Sequence, residues 1–208
     1  MVLFCQAYVK LEWKSLFRSA KIRVMVEYFT EALVLDKEDS GDLDARIILY
    51  TEDLGKITAK AKSVKRITSK LNGHLEPLNF IQVRLVEKNG FQIVDALTIA
   101  NSANFKENPA VFFRLLNFIK FFKEMTFDLQ PDRKLWLAMK EIVANWLIYQ
   151  KKEKAIYRLI IKILGFDPAH AACVFCRGKE INFFSPEDYI FFCAKCAIKI
   201  PKKEIVLI

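Results

Sequence analysis

Two Cys-x-x-Cys pairs, Cys173/Cys176 and Cys193/Cys196, stand sixteen residues apart in "CVFCRGKEINFFSPEDYIFFCAKC". Each pair turns two sulfurs toward one point, and two such knuckles supply a closed tetrahedral shell, a geometry few folds accommodate. Four thiolates with no open position suit structural Zn²⁺, which would staple a hairpin-rich segment too small to bury a core by itself. A catalytic zinc would keep a position for water, usually beside histidine. His74 and His170 lie outside the knuckles and read as surface or hydrogen-bonding residues. A four-cysteine set also holds iron–sulfur clusters, and that alternative stays open. A redox dithiol would be a single Cys-x-x-Cys opening a helix in a βαβ pattern, which is not the pattern here. Cys5 is outside the set and receives no role.

Upstream the hydrophobic period divides the chain. Strand-like segments fall at 30–36, 44–51, 55–64, 78–88 and 90–98, rich in β-branched and aromatic residues and parted by turn chemistry such as "DSGD" and "KNG". In the fourth, Ile81, Val83 and Leu85 take one face and Gln82 and Arg84 the other. Five short strands with a longer link between the third and fourth predict an OB-fold, a small five-stranded β-barrel. From Asn108 the period becomes helical. Asn108 caps, Pro109 takes the first helical position, and Phe112, Leu115, Leu116, Ile119 and Phe122 share a face. A second helix buries Leu135, Trp136, Met139, Ile142, Val143 and Trp146; a third, about 152–164, points Ile156, Leu159, Ile160 and Ile163 inward and stops at Gly165. The expected class is therefore α+β and multidomain: an extension over 1–27, the OB-fold over 28–100, a small helical domain over 101–166, and a four-cysteine zinc-binding element with tail over 167–208.

The stretch "GKITAKAKSVKRITSKLNGHLEP", residues 55–77, carries six Lys or Arg, and no acid stands between Asp53 and Glu76. On the strand reading Ile57, Ala59 and Ala61 face the barrel interior, while Lys56, Thr58, Lys60 and Lys62 face out. The link beyond adds Lys65, Arg66 and Lys70, and Arg84 extends the patch from the next strand. Like charges so close repel one another unless a partner neutralises them. With 33 basic against 24 acidic residues, a net charge of +9, the chain favours an anionic partner: nucleic acid, an acidic protein tail or a lipid surface. A one-signed lysine face on an OB-like barrel, where nucleic-acid backbones commonly run, points to nucleic acid among them. Every apolar run is broken by charge well short of the ~20 residues of a bilayer helix, and no secretory leader is legible, so no membrane association and a cytoplasmic location are expected. The first 24 residues, basic and aromatic, read as an upstream extension.

Residues 30–86 then resemble a known family, and the resemblance as a whole covers roughly residues 28–200. Thr30-Glu31-Ala32 with Val34-Leu35, Gly41 and Asp44, "TEDLGK" at 51–56 and above all "SKLNGHLEP" at 69–77 are similar to the N-terminal domain of the bacterial RecO recombination mediators. The match resumes at Leu164-Gly165-Phe166, Pro168, the first knuckle, "FSP" at 184–186 and the second knuckle. The resemblance implies an OB-fold, a helical domain and a zinc element. It implies a protein without catalytic turnover that binds single- and double-stranded DNA and anneals complementary strands. Its implied partners are RecR and the single-stranded-DNA-binding protein, with RecA loaded indirectly in bacterial DNA repair (the RecF pathway). The family's basic OB surface falls on Lys56, Lys60, Lys62, Lys65, Arg66 and Lys70. Two departures stand out: Ser63 occupies a position that is usually glycine, so a different local backbone is expected there, and the helical part, about 105–165, is shorter than usual.

Two other functions compete with this one. A nuclease needs clustered carboxylates for divalent metals, whereas Asp36, Glu38, Asp39, Asp42 and Asp44 bunch in a turn. A zinc-ribbon and OB-fold RNA-binding or ribosome-associated protein is the closer alternative, since both modules serve RNA as readily as DNA. No Gly-rich phosphate loop ending in Gly-Lys-Ser/Thr is present, consistent with a protein that hydrolyses no nucleotide.

Overall fold

The computed structural model describes residues 25–100, 108–202 and 204–208; the expectations for residues 1–24, Cys5 included, lie outside them. Five strands come first: β1 (Val26–Asp39), β2 (Ala45–Thr51), β3 (Gly55–Ala61), β4 (Phe80–Glu87) and β5 (Phe91–Ala100). They close a barrel in the order β1-β2-β3-β5-β4, the topology of an OB-fold. All pairings are antiparallel but one. β3 and β5 run parallel and meet at just two register pairs, Ala59↔Phe91 and Lys60↔Gln92.

Period-2 alternation explains the inside. Ala45, Ile47 and Leu49 of β2, Ile57, Ala59 and Ala61 of β3, and Ile81, Val83 and Leu85 of β4 fill the barrel. Small alanines are tolerated because the interior of so small a barrel is narrow. β1 keeps the alternation but leaves neither face to solvent here: Ala32, Leu33, Val34 and Leu35 are all buried. Ala32 and Val34 enter the barrel, and Leu33 and Leu35 enter a second core on its outer side.

Four helical segments build that second core: α1 (Pro109–Met125), α2 (Arg133–Ala144), a single turn α3 (Trp146–Tyr149) and, after a 3₁₀ turn, α4 (Glu153–Ile163). The Asn108 side chain accepts from Val111 N at 3.3 Å to cap α1, and Asp132 accepts from Lys134 N and Leu135 N to cap α2. α2 stops at Asn145, so Trp146 belongs to the next turn and not to the expected single helix. In α4 the buried set is Ile156, Tyr157, Ile160 and Ile161. Leu159, expected inward, is 46% exposed. The helix has rolled because aromatic partners, Phe118 and Phe121, receive Tyr157 edge-on at 5.6 and 4.8 Å.

The last unit is a ribbon: β6 (Phe183–Ser185), β7 (Ile190–Phe192) and β8 (Val206–Leu207) in the order β7-β6-β8, with one helical turn α5 (Ala194–Ala197) after the second knuckle. Its buried residues Cys173, Ile181, Phe184 and Ile208 join the helical core, as do Tyr50 and Phe80 from the barrel's outer side. Barrel, helices and ribbon thus meet in one composite core. Among the described residues no helix is long and apolar enough to cross a membrane.

Candidate nucleic-acid interface and metal centre

Seven cations were expected on one face, and the fold treats them in three ways. Lys56 does point outward from β3, but the helices cover it. Its ammonium donates to the carbonyl oxygens of Lys123, at 3.0 Å, and Thr126 at the C-terminal end of α1, and it lies 3.4 Å from Asp128. A cation at the negative end of a helix caps orphan carbonyls and complements the dipole. Leu129 N donates to Lys56 O at 2.9 Å, which locks the α1–α2 loop to the strand. Lys56 is therefore a clasp between barrel and helices and does not belong to an open cationic face.

Lys60, Lys65 and Arg84 have acidic partners: Asp44 at 3.0 Å, Asp39 at 2.7 Å and Glu27 at 3.4 Å. Asp39 ends β1 and Asp44 closes the turn into β2, beside the end of β3. They relieve the repulsion that a linear window over 55–75 made inevitable. Arg84 also lies apart, because β4 is separated from β3 by β5 in the barrel order. Lys62, Arg66 and Lys70 are exposed, and each lacks an ion-pair partner among the described residues.

A groove of about 680 Å³ runs along the β3–β5 seam. Arg46, Lys60, Lys62 and Lys88 line it beside Thr58 and Gln92, with no carboxylate among its lining residues. The sequence reading missed Arg46 and Lys88. Arg46 was legible as an outward position of β2, and its register partner is Lys60; Lys88 sits in the "KNG" turn. Two of the four are paired from outside the groove, Arg46 with Glu38 at 3.2 Å and Lys60 with Asp44 at 3.0 Å. Lys62 and Lys88 lack an ion-pair partner among the described residues, so the concave strip keeps an excess of positive charge of the kind that spaced phosphates neutralise.

The turn leading away from the groove is strained. Ser63 has φ +52, the left-handed conformation that favours glycine. The backbone expected to differ at this departure from the family therefore keeps a glycine-type shape. Asp44 holds it by accepting from Ser63 N at 2.8 Å. That bond, then Lys60, keeps the Asp44 carboxyl below the usual carboxylate range. Apart from the exposed Lys70, the "SKLNGHLEP" segment is a strap rather than a contact surface. Leu75 plugs the barrel core, Lys37 pairs with Glu76 at 2.7 Å, and the Asn79 amide donates to the carbonyls of Gly73 and His74. His74 Nδ1 accepts from Thr98 N at 3.1 Å, so this histidine is tied into the wall.

The four cysteines converge. Their sulfurs lie within 4.8 Å of one another, and among the described residues no other group of three or more His, Cys, Asp or Glu side chains gathers so closely. Cys176 and Cys193 Sγ are 3.6 Å apart. A tetrahedral zinc site with bonds of about 2.3 Å has sulfur–sulfur edges of about 3.8 Å, so the donor set fits one ion. Of the acids bunched near the end of β1, Asp36, Glu38, Asp39 and Asp44 are engaged in ion pairs, with Lys123 at 2.6 Å, Arg46 at 3.2 Å, Lys65 at 2.7 Å and Lys60 at 3.0 Å. Burial opposes ionisation of Cys173, yet the N–H groups of Cys176, Cys193 and Phe175 aimed at its sulfur bring the thiol down to about 6. Cys193 is lowered chiefly by the N–H of Cys196, and Cys196 is pushed up to about 12 by its hydrogen bond with Cys193. A dication would settle that competition by holding all four as thiolates.

Residues 25–103 match the family model described as "Recombination protein O N terminal". Proteins called DNA repair protein RecO resemble the chain well beyond that segment. The one from Thermodesulfovibrio yellowstonii is 27% identical over 181 residues, 83% of this chain and 71% of the relative. That from Dehalococcoides mccartyi is 28% identical over 182 residues, 82% and 70% of the two chains. The Myxococcus xanthus protein is 26% identical over 159 residues, 74% of this chain and 65% of its own.

Proposed function

We propose that this chain, a member of the RecO family through its N-terminal domain, works in DNA repair and recombination by binding DNA on the barrel. The observation that carries the reading is the acid-free groove at the β3–β5 seam with Arg46, Lys60, Lys62 and Lys88 around it. Lys65, Arg66, Lys70 and Arg84 are outlying contacts; Lys56 acts in the architecture. The groove holds single strands by their phosphates, and a basic surface that screens two backbones at once lowers the repulsion that slows complementary strands from meeting. Pairing then supplies the energy, so annealing requires no catalytic residue and no nucleotide hydrolysis. The four cysteines hold a structural Zn²⁺ that ties the two knuckles together. RecR, the single-stranded-DNA-binding protein and, indirectly, RecA are the partners this role implies in a bacterial cytoplasm.

Fluorescence anisotropy of a labelled oligonucleotide across a salt series tests this. Four to six phosphate contacts on a single strand give a slope of log K against log salt of roughly −3 to −4. Reversing Lys60 and Lys62 to Glu flattens that slope and weakens binding at least tenfold while the thermal melt stays cooperative. Affinity indifferent to salt, or untouched by the double reversal, would overturn the reading. Competition with RNA of equal length decides between DNA and the RNA-binding alternative.

A further inference from the structure

The ribbon sorts its charges by end. Glu187 and Asp188 occupy the β6–β7 turn, while Arg177, Lys195 and Lys199 are exposed around the two knuckles at the other end. Lys179 and Glu180 offset each other in a cleft beside α4. Among the described residues no ion pair involves Arg177, Lys195 or Lys199; Lys162 pairs instead with Asp167 at 3.4 Å. Apolar side chains stand exposed among them: Phe175 is 62% and Ile198 84% accessible.

Core packing does not account for Phe175. It leans on buried Phe192, ring centroids 5.6 Å apart at 39°, and leaves most of its surface to water. Nor is the tip loose. Val174 N donates to Phe191 O at 3.0 Å and Ala194 N to Asn182 Oδ1 at 3.2 Å, and the knuckles stand side by side with their four sulfurs within 4.8 Å of one another. A rigid aromatic ring held in water, with cations on both flanking knuckles, is what an unpaired base needs: a π-face to stack on and charges for the adjoining phosphates.

We propose that the knuckle tip is a second DNA-contact site, taking single strands by stacking a base on Phe175 while Arg177, Lys195 and Lys199 neutralise the backbone. It rests on the DNA reading of the barrel and adds to it a selectivity that the groove lacks. Duplex bases offer no free face, so the tip distinguishes single from double strands, whereas phosphate contacts do not. The centre of a protein-docking patch is, by contrast, depleted of charge, while this ring has like charges beside it.

The test uses the full zinc-loaded chain, a labelled oligo(dT) and a duplex of equal length. Phe175→Ala and Phe175→Leu, the second of which keeps an apolar cover on Phe192, should each weaken oligo(dT) binding roughly fivefold or more. Salt slope, duplex affinity and metal content should be unchanged, and Lys195→Glu should flatten the slope. Wild-type affinity in Phe175→Leu, or equal losses on duplex and single strand, would overturn the proposal, the former leaving the ring open to a protein partner. The Lys60/Lys62 double reversal, run alongside, reports on the barrel independently: its loss of binding with intact Phe175 variants would sink the tip and keep the groove.

Discussion

The two cores of this molecule are built on different principles. The barrel core is aliphatic and alanine-rich, Ala32, Ala45, Ala59 and Ala61 among Ile, Val and Leu, and comes wholly from residues 32–96. The composite core is aromatic, with Phe118, Phe122, Trp136, Trp146 and Phe184 fully buried, and draws on residues from 33 to 208. A narrow cavity enclosed by one sheet takes small residues at alternate positions. A junction between a curved sheet, four helical segments and a ribbon leaves irregular space, which large flat rings with edge-on contacts fill. Tyr50 and Phe122 meet there at 4.8 Å and 85°. The lesson is that the barrel supplies a surface and the composite core orients it, since the helices cover one part of the outer wall and leave the β3–β5 seam open.

The largest break in the comparison should come from Trp136→Ala, which empties the centre of the composite core. A loss of about 3–5 kcal/mol is expected, read by chemical denaturation, with barrel amides keeping more of their exchange protection than α2 and α4. Second is Gly55→Ala. Gly55 has φ +70, and a Cβ there would lie 2.8 Å from Pro131 N and closer still to the Gln130 carbonyl. Because that backbone is the α1–α2 loop held by Lys56, a cost of about 2 kcal/mol or more should separate the cores rather than unfold either first. Ser63→Gly runs the other way: relief of the left-handed strain should stabilise the barrel by roughly 1 kcal/mol with the groove intact. The smallest effect at neutral pH is Tyr50→Phe. The Tyr50 hydroxyl is buried without a side-chain hydrogen-bond partner among the described residues, and burial, then the Asp132 charge, pushes it up to about 12. Since the unfolded tyrosine ionises near pH 10, the native chain should lose stability as pH rises from about 10 to 12. Phe at this position should remove that part of the alkaline loss; an identical pH profile would show that the hydroxyl is solvated.

Much of this was legible. Period-2 alternation gave the inward residues of β3 and β4, and the caps Asn108 and Gly165 were readable because capping is local chemistry. The knuckle spacing brought the four sulfurs together on paper as it does in space. What escaped was non-local. Lys56 looked like its neighbours Lys60 and Lys62, and nothing within the strand says that a helix end lies above it. The pairing of Lys60 and Lys65 with Asp44 and Asp39 depends on where a turn some twenty residues away comes to rest. Leu159 lost its inward place to Tyr157 because ring partners on α1 outweighed the simple helical stripe.

The two-pair seam between β3 and β5 has a thermodynamic corollary. It is the shortest joint in the closed sheet, and the groove's cations come from both of its sides, Lys60 and Lys62 before it and Lys88 beyond. A polyanion laid along the groove would bridge the place where the barrel has fewest bonds to lose, acting as a clamp on fraying. Binding and opening are then linked functions: ligand at a hundred times its dissociation constant adds about 2.7 kcal/mol to the closed state. Conversely, whatever loosens the seam lowers affinity without touching a single contact.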